Sequence, residues 1–235
     1  MTNLDPIDDL GDGFAERSYR DIRGGIISLR LSPDAELSSP DMARELGVPL
    51  ASLLRALQQL VQEDLLRERS GVFVVSRIDL VRVLNGHVMR QRYEPRIARI
   101  AARTYDTRYD SLFEKNLLRQ RRAVDGGDVD ALLELMNEFR MLLFLCADAL
   151  GVLPTVLAAT AQLERIRHIG LAESADLGPL SDDYADMYAL LRQRKGDELA
   201  AIVSAQLHSI FPTLTLLGER HPNMIAGDPG PAGRR

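Results

Sequence analysis

With 235 residues, 46% hydrophobic and 27% charged, the chain has the composition of an ordinary folded protein and can bury one large core or two modest ones. A single cysteine excludes an intrachain disulfide and a cysteine-clustered zinc site. The net charge of −5 leaves open whether one face is basic enough to meet nucleic acid. No apolar run is expected to reach the roughly 18 residues of a membrane span, and the acidic start MTNLDPIDDLGDG lacks the apolar segment of a signal peptide. These features suit a cytoplasmic protein without a membrane partner. Cys146 follows the run Met141-Leu142-Leu143-Phe144-Leu145 and is expected to be a buried structural thiol.

Residues 1–13 show no apolar period and are expected to form a disordered tail, as are residues 220–235. From Phe14 to Leu29 the apolar positions Tyr19, Ile22, Ile26 and Ile27 fall at helical spacing. A proline turn, Leu31 to Leu37, follows. Ser38 or Ser39 can then cap a helix with Pro40 in its first turn, which stops at Gly47. Pro49 opens another helix, with Leu53, Leu54, Leu57, Leu60 and Val61 on its apolar side. Leu65 to Val75 has the pattern of two short strands around a Gly turn. Helices followed by a small hairpin are the order of a winged helix-turn-helix over residues 14–77.

Beyond Arg77 strand signals give way to amphipathic stretches at about 78–103, 107–125, 128–149, 153–172, 181–195 and 197–219. Breaks at Asp125-Gly126-Gly127-Asp128, Gly151 to Pro154, Gly178-Pro179 and Gly196-Asp197 separate six or seven helices. The fold class is therefore mainly α: a winged helix and, over 78–219, an antiparallel helical bundle with a pocket between its helices.

Several motifs in this order resemble the GntR family of transcription regulators, in its FadR-like branch with an FCD effector domain. Ile22 to Val48 follows the family's apolar skeleton through the first helices. Arg55-Ala56-Leu57-Gln58-Gln59-Leu60 with Glu63-Asp64-Leu65-Leu66 resembles E-A-L-x-x-L-x-x-x-G-L-V, and Arg69 to Val74 resembles the wing G-x-G-x-F-V. Arg90-Gln91-Arg92-Tyr93-Glu94-Pro95 resembles the R-x-x-L-E-P that opens the FCD domain, and Gly127-Asp128 to Leu135 resembles its G-D run. The resemblance spans about 14–218. It implies a ligand-responsive regulator that binds operator DNA as a homodimer.

The DNA-facing residues depart from the family. Its recognition helix opens S-R-T-P-V-R-E-A-L. Here Leu50 and Leu54 stand where the arginines belong, and Pro40 stands where an earlier arginine is common. Leucine can touch a thymine methyl but cannot neutralise a phosphate or grip guanine. Within 38–69, Arg44, Arg55, Arg67 and Arg69 face Asp41, Glu45, Glu63, Asp64 and Glu68, so no positive face emerges by count. Candidate DNA contacts are Ser38, Ser39, Arg44, Ser52, Arg55, Arg67 and Arg69.

The effector pocket departs too. The family's D-x-x-F-H metal motif reads Met136-Asn137-Glu138-Phe139-Arg140 here, and the two later histidines fall at Asp186 and His208. Methionine and an arginine cation suit no hard divalent ion, so neither a metal nor another cofactor is expected. A buried arginine needs an anion. For Arg140 that is either Asp186, with His208 nearby, or a small acidic organic effector. Met136, Asn137 and Arg90 complete the candidate pocket set, although Arg90 and Glu94, four apart, could simply form a salt bridge. His87 and His168 receive no role. Two alternatives stay open: a same-fold binding protein that has lost operator binding, and an enzyme built on Arg140, Asp186 and His208.

Overall fold

The computed structural model describes residues 6–174 and 176–226, which divide into two compact units. Of the described residues, one unit holds those up to Leu80 together with His221–Ala226; the other is Val81–Arg220.

The first unit contains α1 (Pro6–Ile27), β1 (Glu36–Leu37), α2 (Ser39–Leu46), α3 (Leu50–Gln62), β2 (Leu66–Arg69) and β3 (Val72–Val75). Gly47, at φ 63°, ends α2 in the left-handed conformation its sequence position anticipates. Ser38 occupies the N-cap position, but its hydroxyl donates to Asp41 at 2.5 Å rather than accepting from the helix backbone. Ser70 and Gly71 both have positive φ, 50° and 81°, which makes the wing turn a tight two-residue hairpin of the primed type. The wing sheet has three strands in the order β1-β3-β2, all antiparallel. The expected proline turn thus contributes a short third strand, Leu37 pairing with Phe73. Ile22 and Ile26 of α1 are buried, as are Leu53, Leu57 and Leu60 of α3, and α1 packs on α3.

Both ends of this unit correct the expected tails. Helix α1 already begins at Pro6, and only residues 1–5 of the first tail lie outside the described residues. At the other end Arg220 is helical, and the following segment returns to the first unit. The Ile78 N–H donates to the Met224 carbonyl at 2.7 Å, and the Ala226 N–H donates to the Ile78 carbonyl at 2.9 Å. Residues 227–235 lie outside the described residues.

The second unit is a bundle of α4 (Leu80–Thr104), α5 (Asp110–Gly126), α6 (Val129–Cys146), α7 (Leu153–Ala172), α8 (Gly178–Arg192), α9 (Gly196–His208) and α10 (Ile210–Arg220). The last amphipathic stretch is therefore two helices, divided at Ser209. Phe113, Phe139, Tyr184 and Tyr188 form its aromatic core: Phe139 meets Phe113 and Tyr184 edge-on at 5.0 Å, and Tyr188 stacks on Phe113 at 5.3 Å. Cys146 is buried, and burial pushes its thiol up to about 11, as suits an inert structural side chain.

Helix α7 is the centre of the bundle. Every residue from Thr160 to Ile166 is buried, so this helix has no solvent face along that stretch. Gly86 lets α4 lie directly on it, because a Cβ there would stand 2.7 Å from the Ala159 carbonyl oxygen. One stretch contradicts the expectation of no span-length apolar run. Gly196–Arg220, 25 residues that contain an 18-residue window of mean hydropathy 1.4, is long and apolar enough to cross a membrane by length and composition. Its charged residues lie at its ends. Its inner positions Leu199, Val203, Leu207, Ile210 and Leu217 are buried in the bundle.

Candidate functional site

The bundle encloses a cavity of about 190 Å³ lined from α4, α6, α7, α8, α9 and α10. Its floor is charged. Residues 87, 90 and 94 of α4 share one helix face by their spacing, and the close approach at Gly86 lays that face over α7. Arg90 grips Glu94 through Nε and Nη2 at 2.7 and 3.0 Å, and its Nη1 reaches Glu164 at 3.5 Å. Arg140 of α6 donates from Nη1 to Glu164 at 3.3 Å and to Glu94 at 3.4 Å. Arg167, one turn beyond Glu164, donates to both of its carboxylate oxygens at 3.1 Å and to the Asn137 Oδ1 at 3.1 Å. Asn137 in turn donates to Glu164 at 2.9 Å.

Three guanidinium groups thus face two carboxylates, all on buried or nearly buried side chains. Burial alone would raise the Glu164 pKa, but Arg167, Arg140 and Arg90 outweigh it and hold the carboxyl far below the usual range. Glu94 is lowered in the same way, its burial outweighed chiefly by Arg90 and Arg140. The Arg140 pKa is lowered, first by burial and then by Arg90, against the pull of Glu164 and Glu94. One positive charge is left in excess. The Nε and Nη2 of Arg140 are buried and have no hydrogen-bond partner among the described residues. A buried charged donor left unmet is costly, so this arrangement calls for an anion. Tyr184 stands in the same lining, its hydroxyl kept neutral by burial, which raises its pKa against Arg167, Arg90 and Arg140.

The structure places Arg140, Met136 and Arg90 on the cavity wall. Asn137 does not line the cavity; it supports the wall through Glu164 and Arg167. Two expectations are overturned. Asp186 is exposed, because α8 turns Tyr184, Met187, Tyr188 and Leu191 inward and leaves Asp186 off that face. It is not the partner of Arg140; Glu94 and Glu164 are. His208 is exposed at the end of α9, its Nδ1 held to the Ser204 carbonyl at 2.6 Å, and it does not line the cavity. The Arg140–Asp186–His208 group of the enzyme alternative is therefore not assembled. The residues do not fit a divalent metal either: the position carries a guanidinium, and the nearby carboxylates are taken up by three arginines. The expected Arg90–Glu94 pair is present.

Sequence reasoning misses Glu164, Arg167 and His87 as site residues. The signal available was the cluster Glu164-Arg165-Ile166-Arg167, three charges in four residues inside a helix whose first half carries none. Arg165, fully buried, donates to the Gln162 Oε1 at 3.3 Å, and burial lowers its pKa to about 10.

In the winged unit, the outward face of α3 carries Leu50, Ala51, Arg55, Gln58 and Gln59, all exposed, with Leu54 half-buried. Ser38, Arg44, Arg67 and Arg69 are exposed and Ser39 is half-buried. Ser52 is 3% exposed and turned into the core beside Leu53 and Ala56, so it leaves the set of DNA candidates. Two of the arginines already have acidic neighbours: Arg44 lies 3.1 Å from Asp41, and Arg67 lies 3.4 Å from Asp34. Glu63 is corrected as well. It is buried against α1, accepting from the Tyr19 hydroxyl and from Arg23 Nε at 2.9 Å, and it does not belong to the DNA-facing charge.

The sequence and fold were compared with known proteins. The FCD domain family model matches residues 87–209, the part of the chain that builds most of the cavity. The HTH-type transcriptional repressor RspR of Escherichia coli K12 is 26% identical over 213 residues, covering 90% of this chain and 93% of that protein. An HTH-type transcriptional regulator from an unstable DNA locus of Streptomyces ambofaciens is 24% identical over 212 residues, covering 89% of each. Among solved structures, E. coli McbR/YncC superposes with a TM-score of 0.73 at 15% identity, over 88% of this chain and 97% of its own. A GntR transcriptional regulator from Rhodococcus sp. RHA1 gives 0.65 at 18% identity, over 87% and 97%. With the family model matching more than half of its length, the chain belongs to the FCD-domain family and is a FadR-like transcription regulator of the GntR type.

Proposed function

We propose that this regulator is a cytoplasmic, ligand-responsive repressor that binds operator DNA as a homodimer and senses a small organic acid in a metal-free pocket. The observation that carries the ligand class is Arg140: a buried guanidinium on a cavity wall, in a cluster with one excess positive charge, with two N–H groups unmet. A carboxylate supplies the missing charge and acceptors together. Repression is carried over from the RspR likeness. The mechanism follows from chain connectivity. α10 lines the cavity through Ile210 and Thr213 and leads into the segment that pairs with Ile78 of the winged unit, so a ligand that biases α10 acts at both of the unit's covalent connections. Val81, Leu84 and Val88, 66%, 46% and 47% exposed, form an apolar stripe on α4 that a second copy would cover.

On DNA, the exposed face of α3 offers Leu50 to thymine methyls, Gln58 and Gln59 to adenine edges, and Arg55 to backbone or guanine. A gel shift with the gene's own upstream region, run at low salt with and without candidate acids, tests the reading: retardation that a carboxylic acid alters supports it. A second reading is favoured by the Arg44–Asp41 and Arg67–Asp34 pairs beside leucines at the recognition positions. It describes a binding protein of the same fold without an operator. Acid binding by calorimetry with no retardation at low salt would select it.

A further inference from the structure

The cavity has a second unmet polar side chain. His87 is 4% exposed and lines the same cavity, and neither ring nitrogen has a hydrogen-bond partner among the described residues. It lies on α4 seven residues before Glu94, on the same helix face and about 10 Å along the axis. Its ring is fixed edge-on to Phe211 at 5.0 Å and 77°, with His208 at 6.2 Å and 86°. Packing therefore sets its orientation, while its hydrogen-bonding edge is left over. Buried polar atoms that the protein does not satisfy are met by something else.

Burial first, then His208 and Arg90, lower the His87 pKa below 6.5, which favours the neutral ring at pH 7. A neutral imidazole has one donor and one acceptor nitrogen. It adds no charge, so the cluster of Arg90, Arg140 and Arg167 against Glu94 and Glu164 sets the excess at one.

We propose that His87 is the second polar anchor of the cavity, and that the ligand is a monoanion with an uncharged hydroxyl, carbonyl or amide group remote from its carboxylate. The inference rests on the acidic-ligand reading above and narrows it. A simple alkanoate would bury its apolar end against unmet nitrogens, and a dicarboxylate would bury a second charge with no cation left to pair it.

Calorimetry on the full chain with hexanoate, 6-hydroxyhexanoate and adipate tests this. The hydroxy acid is expected to bind about tenfold tighter than hexanoate (~1.4 kcal/mol), with adipate weakest. His87→Phe keeps the ring packing and should erase the preference, so that hexanoate and 6-hydroxyhexanoate bind within about threefold of each other; a thermal melt checks its folding. His87→Gln, with a donor and an acceptor of its own, should restore part of the preference. Equal affinities for the two monoacids in the unmodified chain, or a preference that survives His87→Phe, overturn the assignment and leave His87 to a bound water. Tightest binding of adipate overturns the monoanion. Arg140→Met separates the two levels. If it abolishes binding of both monoacids while His87→Phe changes nothing, the acidic-ligand reading stands and His87 falls. If neither acid binds the unmodified chain, or Arg140→Met leaves both unaffected, the acidic-ligand reading falls and takes this inference with it.

Discussion

The ion pairs on the surface of the winged unit and the charged cluster inside the bundle differ in their exposure. On the surface of the winged unit, Arg44–Asp41 and Arg67–Asp34 leave more than 40% of each side chain open to solvent, while Arg23–Glu63 is held against α1 with little exposure. In the bundle, Arg90, Arg140, Glu94 and Glu164 are each less than a tenth exposed. An exposed pair is screened and easily exchanged for a phosphate. In a buried cluster the members depend on one another, since removing one strands the rest without solvent. On the proposed function, this contrast gives a forgiving DNA surface and a demanding ligand site.

The sharpest way to break this contrast is Glu164→Leu. It would leave three buried guanidinium groups facing one carboxylate and should destabilise the bundle by about 3–5 kcal/mol in urea unfolding. A loss below about 1 kcal/mol would mean that water reaches the cluster and that the two units do not differ in kind.

The same interactions should appear in an acid titration. Glu164 and Glu94 have folded pKa values below their ordinary value of 4.5, so the stability they confer is complete above about pH 4.5 and is lost as the pH falls toward their folded values. His87 acts over a higher window. Its folded pKa is lowered from 6.5, so the unfolded chain binds its proton more readily and stability declines as the pH drops below about 6.5. Circular-dichroism melts from pH 8 to pH 3 should show both declines, and His87→Phe should remove only the upper one.

Arg140→Met comes next. Loss of charge-assisted hydrogen bonds should weaken acid binding by about 1.5–3 kcal/mol, roughly ten- to hundredfold in Kd, with the fold retained on thermal melting. In the winged unit the expected effects are smaller. Leu54→Arg restores a cation where the family carries one and should tighten DNA binding by about 1 kcal/mol, steepening its salt dependence by about one counterion. Smallest of all, Arg44→Ala should change stability by less than about 1 kcal/mol, because its pair is exposed. A larger loss in denaturant unfolding would show that charges on this surface depend on one another as strongly as those inside the bundle.

Much of the molecule was legible in the sequence, and for local reasons. Gly47 ends α2, Pro49 precedes α3, and Ser70-Gly71 turns the wing, because each depends on backbone preferences of one or two residues. The order of the helices and the two hairpin strands of the wing follow from hydrophobic period in the same way, whereas β1 and the division of α9 from α10 do not. Arg140 could be singled out as a candidate because it falls in a family motif, and Cys146 was legible as a buried thiol because its neighbours are apolar.

What the sequence did not determine is which side chains meet. Asp186 was a reasonable partner for Arg140, yet α8 is rotated so that Tyr184 and Met187 face the cavity and Asp186 faces solvent. Ser52 has the position of a DNA contact but lies on the buried side of α3, and Glu63 has the charge of a DNA-facing residue but is taken inside by Tyr19 and Arg23. The partners of Arg140 come from α4 and α7, 46 and 24 residues away. Periodicity defines the faces of a helix, but the packing of one helix on another decides which face turns inward and how far its side chains reach. The close approach at Gly86 and the complete burial of α7 from Thr160 to Ile166 made that decision here, and with it the charge and the unmet nitrogens of the cavity.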